Sequence, residues 1–215
     1  MVPKRKIGRH EVNPIGLGCM SLAPVYGGHP SEAEVEQLLH RALDIGYDFL
    51  DTAAIYGEGL SETLIGRILK ERRGDYILAS KCGFRPGTRT PDGSPAMIAH
   101  TLDLSLQRLG VDHIDLYYLH RPDPQVPIED SAGALARAVE AGKIGSIGLS
   151  EVSADQLRRA HAVHPIAALQ TEYSLLTRNP EIAALDACRE LGTTFVAFSP
   201  VGRGLLTGDL GPDSR

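Results

Sequence analysis

The chain has 215 residues, of which 42% are hydrophobic and 23% charged, enough for one domain with its own core. The net charge of -5 argues against a nucleic-acid partner. No apolar stretch is long enough to cross a membrane, and no apolar segment of a secretory signal follows the basic start. Cys19, Cys82 and Cys188 lack metal-ligand spacing, which predicts buried free thiols in a reducing cytoplasm.

Apolar runs and helical stretches alternate along the chain. A short hairpin over residues 4–11 is expected before the first run. Seven strands are predicted, over residues 14–20, 49–53, 76–81, 114–120, 144–150, 166–170 and 194–199. Six amphipathic helices lie between them, and two begin with capping boxes, Ser31 with Glu34 and Ser153 with Gln156. This order is typical of parallel βαβ units.

Two α/β architectures fit such a pattern. A doubly wound sheet often has a glycine-rich phosphate loop after its first strand, but GLGCMS at residues 16–21 lacks the G-x-G-x-x-G spacing. A (β/α)8 TIM barrel fits better, and its active site lies where strands end and βα loops begin. Because the predicted strands number one fewer than eight, we expect residues 1–215 to form a single, incomplete barrel domain. Its eighth strand and C-terminal helices would then be missing.

Four polar residues stand at or just after the ends of predicted strands: Asp51, Tyr56, Lys81 and His120. The bodies of parallel strands are buried on both faces, so these side chains are expected at the mouth of the sheet. A tyrosine pKa is ordinarily about 10, and a neighbouring ammonium lowers it. Lys81, anchored by Asp51, could therefore make Tyr56 a general acid, while His120 orients a substrate oxygen. Such a group suits carbonyl reduction with hydride from a cofactor.

The same residues allow two other interpretations. Lys81 could form a Schiff base with a substrate, although a salt bridge to Asp51 would keep the amine protonated. His120 with Asp115 or Asp123 could begin a metal site, but a third ligand is not evident and we expect no metal.

Seven segments, taken together and in order, resemble the aldo-keto reductase superfamily of nicotinamide-dependent carbonyl reductases. They are GLGCMS, FLDTAAIYG with the following G-x-S-E-x-x-I-G (residues 59–66), ILASKCGF, DLYYLHRPDP, GKIGSIGLS, LQTEYSLLTR and FSPVGRGLLTG. The resemblance covers about residues 6–208 and is strongest to the microbial and plant branch of NADP-dependent reductases that includes perakine-type enzymes.

The resemblance implies a catalytic tetrad with Tyr56 as the proton donor. Its members would be Asp51, Tyr56, Lys81 and His120. The implied reaction is reduction of an aldehyde or ketone, a small-molecule substrate, to an alcohol. A cofactor-binding regulatory or inactive module without turnover is the alternative.

The resemblance also implies NADPH as the cofactor, with NADH as the alternative. The implied cofactor contacts are Gly18, Cys19, Met20, Ser150, Gln170, Phe198, Ser199, Pro200, Val201, Gly202, Arg203 and Gly204. Tyr26 and Phe84, on the first and third βα loops, are candidate walls of the substrate pocket. Glu151 stands where the family often has asparagine.

Overall fold

The computed structural model describes residues 3–24 and 30–208, and within them a hairpin precedes one parallel sheet. The hairpin pairs β1 (Arg5–Ile7) with β2 (His10–Val12). Seven strands then follow in chain order across the sheet: β3 (Leu17–Gly18), β4 (Phe49–Asp51), β5 (Ile77–Cys82), β6 (Leu116–Leu119), β7 (Ile147–Ser150), β8 (Ile166–Glu172) and β9 (Thr194–Phe198). The predicted hairpin and parallel seven-stranded order are confirmed.

Among the residues that the structure describes, six α-helices connect the strands, as predicted. They are α1 (Glu32–Asp44), α2 (Leu60–Ile68), α3 (Pro95–Leu109), α4 (Ile128–Glu140), α5 (Ala154–Val163) and α6 (Ala184–Leu191). Both capping boxes form, since Ser31 and Ser153 accept from the N–H three residues on. In the described part of the chain, these helices include none with the length and apolar character needed to cross a membrane.

Three strands begin two or more residues later than predicted. β3 spans two residues because Pro14 has no N–H to donate and a 3₁₀ turn begins at Met20. β6 and β7 start late because Ile114 and Ile144 form only an isolated bridge. Asp115 follows Ile114, and its carboxylate accepts the Leu78 N–H at 2.8 Å, so a side chain replaces a strand contact there.

The sheet curls so that distant strands meet at one end. Neighbouring strands lie about 4.8 Å apart, so in a flat sheet β4 and β8 would be separated by about 19 Å. Instead, Gln170 Nε2 of β8 donates to Asp51 Oδ2 of β4 at 2.8 Å. The curl agrees with the predicted barrel architecture.

Side chains alternate between an outer and an inner core along each strand. Outward residues, such as Leu50, Leu78 and Leu169, pack with the helices. Inward residues form a smaller cluster: Phe49 of β4, Ala79 of β5, Leu116 and Tyr118 of β6, and Ala168 of β8, together with Ile7 and Val12 of the hairpin. The hairpin therefore closes the end of the inner core at which the strands begin.

Gly66 allows α2 and α3 to approach at backbone distance. A Cβ at this position would lie 2.6 Å from the Cα of Leu109, the last residue of α3. Backbone atoms cannot rotate away from such a contact, so the two helices would have to separate.

We expect Gly66→Ala to lower the free energy of unfolding by about 2 kcal/mol through overpacking, despite its better helix propensity. Gly133→Ala in α4 is the matched control, because its nearest neighbour would be the Arg137 side chain at 3.7 Å. The control should gain up to about 1 kcal/mol from helix propensity. Urea unfolding measures both values, and parental stability in Gly66→Ala would contradict the close helix contact.

Candidate active site

The alternation along the strands places a polar layer directly beyond the inner apolar cluster. Two residues after Phe49, Ala79, Tyr118 and Ala168 come Asp51, Lys81, His120 and Gln170. Because the period of a strand is two, each of these polar residues points to the same inner side as the apolar residue before it. The curl of the sheet then brings them together.

The Lys81 ammonium is the centre of this layer. The residue is 1% exposed, and Nζ forms an ion pair with Asp51 Oδ1. Nζ also donates to the Thr52 carbonyl at 2.9 Å and lies 3.5 Å from the Tyr56 hydroxyl. Three acceptors therefore match the three hydrogens of one ammonium.

The environment of Lys81 favours its charged form. Burial alone lowers the pKa of this ammonium, but the charge of Asp51 and the facing Tyr56 hydroxyl outweigh burial and raise that pKa above its ordinary value. A protonated amine is not a nucleophile, so the ion pair argues against the Schiff-base interpretation of Lys81.

His120 is held as a neutral ring beside the ammonium. It is 9% exposed, and its ring lies edge-on to Tyr56 and Phe84, with centroid distances of 5.8 and 5.1 Å. Burial, followed by the positive charges of Lys81 and Arg121, lowers the pKa of His120 to about 2. Its Nδ1 is buried and has no hydrogen-bond partner among residues 3–24 and 30–208. The ring can therefore accept or donate one hydrogen bond without carrying charge.

A cavity of about 470 Å³ opens beside this group. Lys81 and His120 line it, together with Ala54 and Ile55 from the β4–α2 loop. Phe84, predicted as a substrate-pocket wall, also lines the cavity. Tyr26, the other predicted wall residue, lies outside the described residues.

Ser150 and Gln170, both predicted to contact the cofactor, lie near the ends of β7 and β8, and Gln170 is itself part of the polar layer. Ser150 Oγ accepts from Arg121 Nη1 at 3.1 Å, which leaves its own proton available to a ligand. Gln170 donates to Asp51, so it also belongs to the hydrogen-bonded group around Lys81. Both side chains fit an amide-bearing ligand such as a nicotinamide.

The segment after β9 has an irregular backbone that fits close approach by a phosphate. Ser199, Gly202, Arg203 and Gly204 have φ values of 49°, 58°, 55° and 94°. The N–H groups of Gly202 and Gly204 donate to the carbonyls of Ser199 and Val201, so the fit to a phosphate comes from the absence of side chains at these glycines. Phe198 is partly buried at the end of β9, and Pro200 and Val201 complete the predicted segment.

The three residues predicted to contact the cofactor from the first strand differ in how accessible they are to a ligand. A Cβ added to Gly18 would meet nothing within 4 Å, so the chain leaves open space there. Cys19 is fully buried, its N–H donates to Asp51 and its carbonyl accepts from Ser61, so it has no free group for a ligand. Met20 begins the 3₁₀ turn that follows. The prediction that all three cysteines are buried free thiols is confirmed.

Glu151, at the position where the family often has asparagine, forms a hydrogen bond with the backbone of the neighbouring strand. Its Oε1 accepts the Glu172 N–H at 2.8 Å, and its φ is 58°. The side chain therefore ties the end of β7 to β8.

Sequence reasoning missed a buried ion pair behind the cavity. Glu62 is fully buried, and its Oε2 accepts from Arg108 Nε at 2.7 Å while its Oε1 accepts from Ser80 Oγ at 2.5 Å. Glu62 is the glutamate of the G-x-S-E segment, which is one of the segments that carry the family resemblance, so this residue could have been identified from the sequence. A glutamate on a helix is usually solvated, however, and only the packing of α2 on α3 buries this one.

Comparison with known proteins agrees with this fold. The model of the aldo/keto reductase family matches residues 14–214. An NADP(+) aldo-keto reductase of Schizosaccharomyces pombe is 48% identical over 96% of the chain. A protein of Strobilurus tenacellus named an aldo-keto reductase is 50% identical over the same share. The chain belongs to the aldo/keto reductase family.

Solved structures show the same likeness in three dimensions. A glycerol dehydrogenase of Gluconobacter oxydans matches 99% of the chain with a TM-score of 0.90 at 31% identity, and the chain covers 68% of it. A holo aldo-keto reductase of Bacillus halodurans matches all of the chain with a TM-score of 0.88 at 32% identity, with 72% of that structure covered. The chain spans 63% of the length of the two curated relatives.

The buried neutral His120 predicts a specific loss of stability in acid. A histidine in the unfolded chain takes up a proton below pH 6.5, whereas folded His120 stays neutral down to about 2. Its contribution is therefore complete above pH 6.5 and is lost as the pH falls below that value. When the pH falls from 7 to 5, the free energy of unfolding of the parent protein should decrease by about 2 kcal/mol more than that of His120→Gln.

Urea unfolding of both proteins at the two pH values measures this difference. His100→Gln, on an exposed position of α3, is the control and should keep the parental pH dependence. Equal acid losses in the parent and His120→Gln would show that folded His120 takes up a proton.

Proposed function

We propose that this chain carries the site for NADPH-dependent reduction of aldehydes or ketones to alcohols. The single observation that carries the proposal is the contact of the Lys81 ammonium with both Asp51 and the Tyr56 hydroxyl, beside a cavity lined by neutral His120. NADH is the alternative cofactor. The S. pombe relative, which is named for NADP(+), supports the choice of NADPH.

The reduced nicotinamide supplies a hydride to the carbonyl carbon when it is bound. Ser150 and Gln170 would hold its carboxamide, and residues 198–204 would hold its ring and pyrophosphate. Gly18 and Met20 would border it from the first strand. Ser150, Gln170 and residues 198–204 lie on the β7–β9 side of the polar layer, whereas the cavity is lined from the β4–α2 loop, the β5–α3 loop and α3. Cofactor and substrate would therefore approach Tyr56 from different sides.

Tyr56 supplies the proton in this scheme. As the carbonyl carbon takes up hydride, the phenol O–H bond breaks and its proton passes to the carbonyl oxygen, which leaves an alcohol and a phenolate. Lys81 stabilises the phenolate because its ammonium lies 3.5 Å from that oxygen. His120 holds the carbonyl oxygen by a neutral hydrogen bond, and Asp51 keeps Lys81 in place.

Tyr56→Phe should reduce turnover of benzaldehyde by NADPH at least about 100-fold, because a phenyl ring has no proton to give. The measurement is loss of nicotinamide absorbance, with NADPH affinity determined separately by calorimetry. Affinity should stay within about twofold, since the change removes one oxygen from the substrate side. Tyr47→Phe, outside the site, is the matched control.

Turnover and NADPH affinity together distinguish the proposed reductase from a module without turnover. Turnover that depends on Tyr56 supports the reductase. Full activity in Tyr56→Phe would mean that another group donates the proton. NADPH binding without turnover in the parent would support a cofactor-binding regulatory module, and absence of both would support an inactive one.

A further inference from the structure

The cavity beside Lys81 and His120 is also lined by three arginines. Arg85 and Arg89 belong to the β5–α3 loop, and Arg108 belongs to the last turn of α3. Glu58 is the one carboxylate among the described lining residues. The carboxylates that pair with Lys81, Arg85 and Arg108 are not among the residues that line the cavity. They are Asp51, Asp92 and Glu62. The wall therefore presents more guanidinium than carboxylate to a ligand.

Backbone hydrogen bonds fix the loop that carries two of these arginines. Phe84 pairs with Pro91 in an antiparallel bridge, and Arg85 N–H donates to the Thr90 carbonyl at 3.0 Å. The Thr88 N–H donates to the Arg85 carbonyl at 3.1 Å. Arg85 and Arg89 thus stand on a small hairpin beside the cavity.

Arg108 is fixed more strongly, by its side chain. Buried Glu62 holds Nε at 2.7 Å and Nη2 at 2.6 Å, and Nη2 also lies 3.4 Å from Ser105 Oγ. Nη1 has no hydrogen-bond partner in the described ranges, and the side chain is 23% exposed. A guanidinium with one free nitrogen in a cavity wall is a preorganised donor for an anion.

The two loop arginines differ in their charge balance. Arg85 Nε pairs with Asp92 at 3.2 Å, so its charge is partly compensated. Arg89 is exposed and forms no ion pair within residues 3–24 and 30–208. Arg89 can therefore turn toward a bound anion without giving up an existing partner.

We propose that the cavity selects carbonyl substrates that also carry a carboxylate, which Arg89 and Arg108 bind while His120 and Tyr56 engage the carbonyl. This inference rests on the proposed function, whose substrate class it names. A volume of about 470 Å³ suits a small organic acid with an aromatic or alkyl body. Phe84 supplies an apolar wall for that body.

The test is calorimetric binding of two alcohols of nearly equal shape, para-(hydroxymethyl)benzoate and para-(hydroxymethyl)benzamide, to this chain. We expect the carboxylate to bind at least about tenfold more tightly, as one charge-assisted contact allows. Raising the salt concentration should narrow the difference, because partly exposed charges are screened. The readout needs no turnover.

Arg89→Gln should reduce the carboxylate preference to about threefold or less and leave benzamide binding unchanged. Arg41→Gln, on exposed α1, removes the same charge away from the cavity and should keep the parental ratio. Both changes are at exposed positions, so folding should be retained.

Equal affinity for the two alcohols, no binding of either, or an Arg89→Gln protein with the parental ratio would each overturn the inference. Tighter binding of para-(aminomethyl)benzyl alcohol would overturn it too and would assign the selectivity to Glu58. Benzaldehyde turnover with NADPH reports on the proposed function separately, because that substrate carries no second charge.

Discussion

The ion pair between Lys81 and Asp51 is the interaction on which the site depends. A buried ammonium without a partner would be costly, and it would lose its proton to the solvent. Asp51 prevents this from β4, and the Thr52 carbonyl adds a second acceptor. The resulting fixed positive charge reaches the Tyr56 hydroxyl. Together with burial, which is the larger cause, it lowers the pKa of His120 and keeps that ring neutral.

The same pair also links the site to the architecture. Asp51 uses its second oxygen to accept from Gln170, which lies four strands away in the sheet. This contact requires the curl of the sheet, and the apolar cluster beneath it requires the hairpin that brings in Ile7 and Val12. A flat sheet of the same strands would separate these groups and expose the ammonium.

Two sides of the site differ in chemistry. The side formed by β7–β9 offers the Ser150 hydroxyl and the Gln170 amide, and it continues into a glycine-containing segment with left-handed backbone. The side formed by the β5–α3 loop and α3 offers Phe84 and guanidinium groups, with Arg108 held rigid by buried Glu62. Donors held rigid before binding lose little entropy when a ligand arrives, so the Arg108 guanidinium is preorganised for binding.

The sequence by itself determined the order of strands and helices and the positions of Asp51, Lys81 and His120. Apolar runs mark buried parallel strands, and a polar residue at the end of such a run can only lie at the rim. The tertiary structure alone decided that Gln170 meets Asp51, that Glu62 is buried against Arg108, and that three arginines share the cavity. Local patterns set the direction of each side chain, whereas contacts between distant residues depend on how the sheet curls and how the helices pack.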